Sequence, residues 1–279
     1  FGRIQKENYY YVDKTGLISE LIRNGGMVNL FTRPRRFGKT LNMSMLEHFF
    51  SIERDQSIYD GLEISKDTKL CEAYMGKYPV ISISLKGINA AAYEDAFDFA
   101  VQIMQRTAEE FQFLSDSEYL SEHDKSVYRE LLDSNMSETV FCGGLKILSK
   151  LLEKHYRLKV ILLIDEYDVP LAKAFENGYY EQMIFQDYVN VFPENYWINT
   201  SSNDAVKKFI QMSDNLKTKR EIETLLAGGE IIKEIHQELI YPEMYQSLEN
   251  VWSLLFMTGY LTQRQRLDAS HYKLAIPNL

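Results

Sequence analysis

Cysteine is scarce: the 279 residues hold only Cys71 and Cys142. A disulfide scaffold or a cysteine-based zinc site does not fit so few thiols. The five histidines, at 48, 123, 155, 236 and 271, fall in no paired metal-ligand spacing. No G-x-S-x-G elbow is present, so hydrolase chemistry of that kind has no support. Long apolar runs are missing too. The longest purely aliphatic one, Val160 to Ile164, falls far short of a membrane span. No signal-peptide pattern opens the chain, and a cytoplasmic location without membrane contact is expected. Basic residues are in deficit: 31 Lys and Arg face 40 Asp and Glu, for a net charge of -9. A protein that coats nucleic acid uniformly is thereby excluded, although a local basic patch is not. Repeats, charge blocks and low-complexity segments are absent as well.

The sequence does have the makings of a core. Hydrophobic residues make up 45% and aromatics 13%, a folding composition. The length suits one large domain, or a core with a smaller addition. Leu17 to Ile22 reads as a short helix ending at Gly25-Gly26. Met27 to Phe31 is apolar and bounded by turn signals, which predicts a buried strand. Thr40 to Phe50 carries apolar residues on one helical face. Pro79 to Leu85 alternates as a strand, and Ala90 to Phe113 reads as a helix. Glu122 to Leu132 and Leu145 to Leu152 read as further helices. Val160 to Ile164 is a third strand, ending in Asp165-Glu166. Strands alternating with helices predict an α/β layer architecture. Farther on, Glu221 to Leu226, Ile231 to Ile240 and Leu248 to Thr258 look helical. Tyr260 to Thr262 and Tyr272 to Ile276 read as short strands, so a small helical or winged-helix-like module is expected there.

Two motifs carry chemistry. Arg33-Pro34-Arg35-Arg36-Phe37-Gly38-Lys39-Thr40 ends as a P-loop does, in Gly-Lys-Thr, between an expected strand and an expected helix. Arg33 stands where the consensus has its first glycine. Gly38 would let the backbone turn tightly around phosphate oxygens. Successive amides and the following helix N-terminus would form a positive nest. Lys39 would reach the β- and γ-phosphates, and the Thr40 hydroxyl would hold Mg²⁺. The second motif is the strand ending in Asp165-Glu166, in the manner of a Walker B segment. Asp165 would hold Mg²⁺ through a water, and Glu166 would orient and deprotonate an attacking water. Each motif alone also has a bland reading, as a basic turn and as a strand end. Together they support each other. Arg33, Arg35 and Arg36 admit three roles: phosphate clamps, contacts to an acidic partner or nucleic acid, or solvated loop charges. The polar run Asn199 to Asp204 reads best as a helix cap.

The blocks YYYVDKTGLISELI and FTRPRRFGKTLNMSMLEHFF resemble the predicted AAA-ATPase-like proteins, with their YVDKT box and RPRRFGK(S/T)L signature. The likeness continues through YDGLEI, YPVISISL, LLIDEYDVPLAKA and GYYEQM, then YWINTSSND, WSLLFMTGYLT and YKLAIPN. It implies a P-loop NTPase core of the ASCE/AAA-like type, three-layered, with ATP and Mg²⁺ as ligands. The family tolerates the missing first glycine. Its Walker residues map onto Gly38, Lys39, Thr40, Asp165 and Glu166, and Arg35, Arg36 and Phe37 are expected to join them in binding the nucleotide. Its N-terminal box maps onto Tyr11 to Lys14, expected against the phosphate loop or the base. Such proteins usually continue into a PD-(D/E)XK nuclease domain after the IPN motif. None of that domain's residues lies in this sequence.

One departure stands out. Between Met183 and Tyr196 the family has a longer segment with a further core strand, where this chain has only residues 184–195. Either a segment is missing near 184–195, or this is a degenerate copy. The expected division is a core over 1–195 and a C-terminal helical or winged-helix-like module over 196–279. The expected function is an ATP-binding, Mg²⁺-dependent ATP-hydrolysing regulatory module that controls an attached or partner effector. The competing reading is a non-catalytic interaction or DNA-recognition protein on a degenerate P-loop scaffold. A phosphotransferase would need an acceptor site beside Glu166, and none is visible. Nucleic acid would be reached through an effector or the C-terminal module. Oligomer formation stays open.

Overall fold

The computed structural model describes residues 1–29, 31, 38–185, 216–236, 243 and 246–277. The N-terminal helices are α1 (Gly2–Lys6), α2 (Gly16–Asn24), α3 (Lys39–Phe50) and α4 (Thr68–Tyr74). Strand β1 (Val80–Ser84) follows, then α5 (Tyr93–Glu109), α6 (Glu122–Leu131) and α7 (Glu138–Tyr156). Strand β2 (Ile161–Asp165) leads into α8 (Val169–Asn177) and α9 (Tyr180–Phe185). The C-terminal elements are α10 (Leu216–Leu226), β3 (Ile231–Glu234), α11 (Leu248–Met257), β4 (Thr262–Arg266) and β5 (His271–Ala275). The architecture is mixed α/β. Among the described residues no helix is long and apolar enough to cross a membrane.

Local chemistry sets the helix ends. Gly25 closes α2 in the left-handed region, at φ 63°, a conformation that costs glycine nothing. Ser121 and Asp124 form a reciprocal capping box on α6, and this satisfies amides that have no partner inside the helix. Ser137 caps α7 and Ser247 caps α11 in the same way, each accepting from the amide three residues on.

Strands β1 and β2 pair in parallel, from Val80 opposite Ile161 to Ser84 opposite Asp165. Both faces of this pair are covered by helices, as parallel strands require. On one side Val80 and Leu163 join Met45, Leu46 and Phe49 of α3 and Ile18 of α2. On the other, Ile81 and Ile83 join Ala100 and Met104 of α5 and Leu148 and Leu152 of α7. The alternation of β1 therefore splits its residues between two cores. In the C-terminal part, β3, β5 and β4 form an antiparallel sheet in that spatial order. Trp252 of α11 is buried against it, with the Lys233 ammonium 4.6 Å from its ring. Lys233 also pairs with Glu221 at 2.7 Å, both largely covered.

The strand expected over Tyr260 to Thr262 begins only at Thr262 and runs on to Arg266, and two further expectations fail. Residues 27–29 form no strand; Met27 and Val28 are exposed. The left-handed Gly25 turns the chain, and the Asn29 side-chain amide donates to Gly26 O at 2.9 Å, closing a bend. Those side-chain and glycine preferences outweigh the apolar run. Phe31 still reaches the α2–α3 core. The helix expected from Ile231 is instead strand β3, where Ile231 stands opposite Leu274. Two adjacent β-branched residues favour that pleated pairing over a helix. Residues 237–240 of the same expectation lie outside the described residues, as do 186–195 and the polar run 199–204. The other helices appear with shifted ends. The α5 helix gives way to a 3-10 turn at Gln112–Asp116, and α7 extends well beyond Leu145 to Leu152 at both ends.

Candidate functional site

The candidate site is built at the carboxyl edge of the parallel pair, where open α/β sheets place ligands. Gly38 is the N-cap of α3, at φ 77°, with no side chain over the helix end. Among the described residues, a Cβ added there would meet nothing within 4 Å. Gly38 O accepts from the Asn42 amide at 2.9 Å and starts the helical ladder. The first-turn amides of such a helix have no intrahelical acceptor, and they carry the positive end of its dipole. Lys39, half-buried, and Thr40, exposed, stand in that first turn. Arg35, Arg36 and Phe37, with Arg33, lie outside the described residues.

The structure brings the two halves of the predicted site together. The Thr40 hydroxyl donates to Asp165 Oδ2 at 2.7 Å. The other carboxylate oxygen, Asp165 Oδ1, accepts from the Glu166 amide at 3.0 Å. Glu166 itself is left-handed, at φ 52°, a rare conformation for a residue with a Cβ. This elbow ends β2, and Glu166 O then accepts from the Val169 amide at 3.1 Å, which turns the chain into α8. Burial, with the Asp168 charge adding to it, pushes the neighbouring Tyr167 phenol far up, so it stays a neutral group.

Ser84 completes the edge and was not singled out from the sequence. It is opposite Asp165 in the ladder and exposed. Partners in a parallel register share a face, so Ser84 is on the side of Asp165 that also meets α3. The Ser82 and Ser84 alternation in β1 carried that information, because it marks a polar row among isoleucines.

The N-terminal box is a structural strap. Asp13 Oδ1 accepts from the Thr15 amide and hydroxyl at 2.8 and 2.7 Å. Asp13 Oδ2 accepts from the Glu63 amide at 2.7 Å, and Thr15 Oγ1 from the Ile64 amide at 3.0 Å. Burial alone would raise the Asp13 carboxyl. Its hydrogen bonds from Thr15 and Glu63 outweigh that and hold it below the usual carboxylate range. Tyr11 OH donates to Met45 Sδ at 3.6 Å, which fixes the strap against α3.

The donor set fits magnesium. A threonine hydroxyl and a carboxylate offer hard oxygens, which suit that ion. Among the described residues no group of three or more His, Cys, Asp or Glu side chains could hold a metal ion.

The model of the Predicted AAA-ATPase family matches residues 1–218. The chain belongs to that AAA-ATPase-like family. It is also 28% identical over 172 residues to an uncharacterized protein in the vnfD 5' region of Azotobacter chroococcum mcd 1. The match covers 61% of this chain but only 28% of that relative. No solved structure matches. Family membership supports a nucleotide-binding, ATPase-like role in general.

Proposed function

We propose that this chain is an ATP-binding and Mg²⁺-dependent ATP-hydrolysing regulatory module acting on an attached or partner effector. The single observation that carries the reading is the Thr40–Asp165 hydrogen bond at 2.7 Å. Gly-Lys-Thr and Asp-Glu each recur by chance, but their meeting at one strand edge answers a shared task. Gly38 and the first α3 amides would receive phosphate oxygens. Lys39 would place a cation against the β- and γ-phosphates, with Arg35, Arg36 and Phe37 completing the loop. Thr40 and Asp165 would hold Mg²⁺. Bound there, the ion supplies charge neutralisation on the phosphates. Glu166 would orient a water and take its proton, a task for a carboxylate near the phosphate but off the metal.

The two-faced burial of the β1–β2 pair is compatible with a three-layer ASCE-type core over 1–195. The C-terminal order helix, strand, helix, hairpin, with spatial order β3-β5-β4, is that expected of a winged-helix-like module over 196–279.

The test is nucleotide binding and turnover. Lys39→Ala should weaken Mg-ATP binding by about tenfold or more, about 1.4 kcal/mol. Glu166→Gln should keep binding and lower hydrolysis by about 100-fold or more. Unchanged affinity in Lys39→Ala refutes the site. Binding without turnover in the wild type, or a response to duplex DNA alone, favours the non-catalytic reading.

A further inference from the structure

The α11 helix is buried on two faces. Val251, Trp252 and Leu255 enter the C-terminal core beside Ile231, Tyr272 and Leu274. Leu254 leaves that core and is fully buried against Leu171, Ala172, Phe175 and Tyr180 of α8 and α9. Glu249 is the one residue of α11 that stays exposed. A helix so enclosed has no free face to lay in a nucleic-acid groove. Its surface is committed to joining two packed bodies.

The body it joins begins at the candidate site. Helix α8 starts at Val169, just beyond the Glu166 elbow. Asp168, its N-cap, is buried, and its carbonyl accepts from the Ala172 amide at 3.0 Å. Ala174 is fully buried in the core beneath β1. Asp165 holds the elbow through one carboxylate oxygen and Thr40 through the other. A ligand that draws on this carboxylate competes with both hydrogen bonds. Loss of the Glu166 amide bond would remove one of the two hydrogen bonds that hold this elbow, the other being from the Val169 amide to Glu166 O.

We propose that the seam centred on Leu254, between α8–α9 and α11, transmits occupancy of the Thr40–Asp165 site to the β3-β5-β4 sheet. The inference rests on the nucleotide reading of that site. It assigns α11 to docking and not to sequence readout. The elbow is the element a ligand would reset, the α8 helix is the arm, and Leu254 is the point of contact. Coupling needs such a physical element that both ends can bias.

Hydrogen exchange on the full chain tests the link, with and without a slowly hydrolysed ATP analogue and Mg²⁺. Binding is measured separately with a fluorescent nucleotide. In the wild type, nucleotide should slow exchange in 169–177 and in 248–257. Leu254→Ala should keep the response of 169–177 and lose that of 248–257. Leu254→Met, which refills the seam, should restore it. Bound nucleotide with unchanged exchange in 248–257 overturns the link and leaves the site reading intact. So does full transmission in Leu254→Ala. If that variant does not fold, the wild-type comparison decides alone. Failure to bind nucleotide at all removes the site reading and the link together.

Discussion

Thr40 and Asp165, 125 positions apart in sequence, share a hydrogen bond of 2.7 Å. One sits in the first turn of α3 and the other ends β2, so this bond ties the open helix end to the sheet edge. Its strength is measurable without any ligand. A double-mutant cycle with Thr40→Ala and Asp165→Ala should give a coupling of about 1 kcal/mol in denaturant unfolding. Charge on the acceptor strengthens the bond, while exposure of Thr40 weakens it. Additive single variants would mean that the two side chains do not interact in solution.

Glu166 holds a backbone conformation that is rare for its residue type. Its left-handed backbone at φ 52° is strained for any residue with a side chain. Glu166→Gly should therefore raise unfolding stability by about 1 kcal/mol. The same variant should lose ATP hydrolysis. Urea melts and a phosphate-release assay, run side by side, check both halves.

The strap has a defined pH response. The Asp13 carboxyl is held below its ordinary value by the Thr15 and Glu63 hydrogen bonds, against the opposing effect of burial. A depressed carboxyl stabilises the fold above its unfolded value of about 3.9. That contribution is lost as pH falls through the lower, folded value. Asp13→Asn should be less stable than the wild type at pH 7, and the difference should shrink below about pH 4. Denaturant midpoints across pH 7 to 3 measure it. A constant gap would show that the charge of Asp13 contributes nothing.

Tyr59 is a core residue with one polar obligation. It is 1% exposed, and its hydroxyl donates to Met45 O at 2.5 Å. Burial pushes this phenol far up, so it donates as a neutral group at any working pH. Tyr59→Phe removes the bond while keeping the ring against Phe49 and Phe1. The expected cost is about 1 kcal/mol in thermal or urea unfolding.

Much of this arrangement could be read from residue order. The Gly38-Lys39-Thr40 and Asp165-Glu166 motifs were expected to serve one site, so the meeting of Thr40 and Asp165 was predictable across a long separation. Val80 to Ser84 was legible because alternation marks a pleat. Met27 to Phe31 misled, since a short apolar run does not say whether a ladder partner awaits it. Ile231 misled for the opposite reason: its partner Leu274 lies beyond the reach of local pattern. The handedness of Glu166 was not legible, because no residue type announces that conformation outside glycine. Leu254 looked like any core leucine. Only the packing shows that it faces α8 while its neighbours face the sheet.

The strap also bears on how the chain is made. Asp13 and Thr15 leave the ribosome before their partner amides at Glu63 and Ile64, which follow about fifty residues later. Closing so long a loop is entropically unfavourable until the intervening α3 helix and its aromatic neighbours have condensed. Residues 9–15 must therefore wait beside the growing chain, with Tyr9, Tyr10 and Val12 open to solvent even in the finished fold. Until residues 63 and 64 follow, Asp13 Oδ2 and Thr15 Oγ1 have only water in place of those amides.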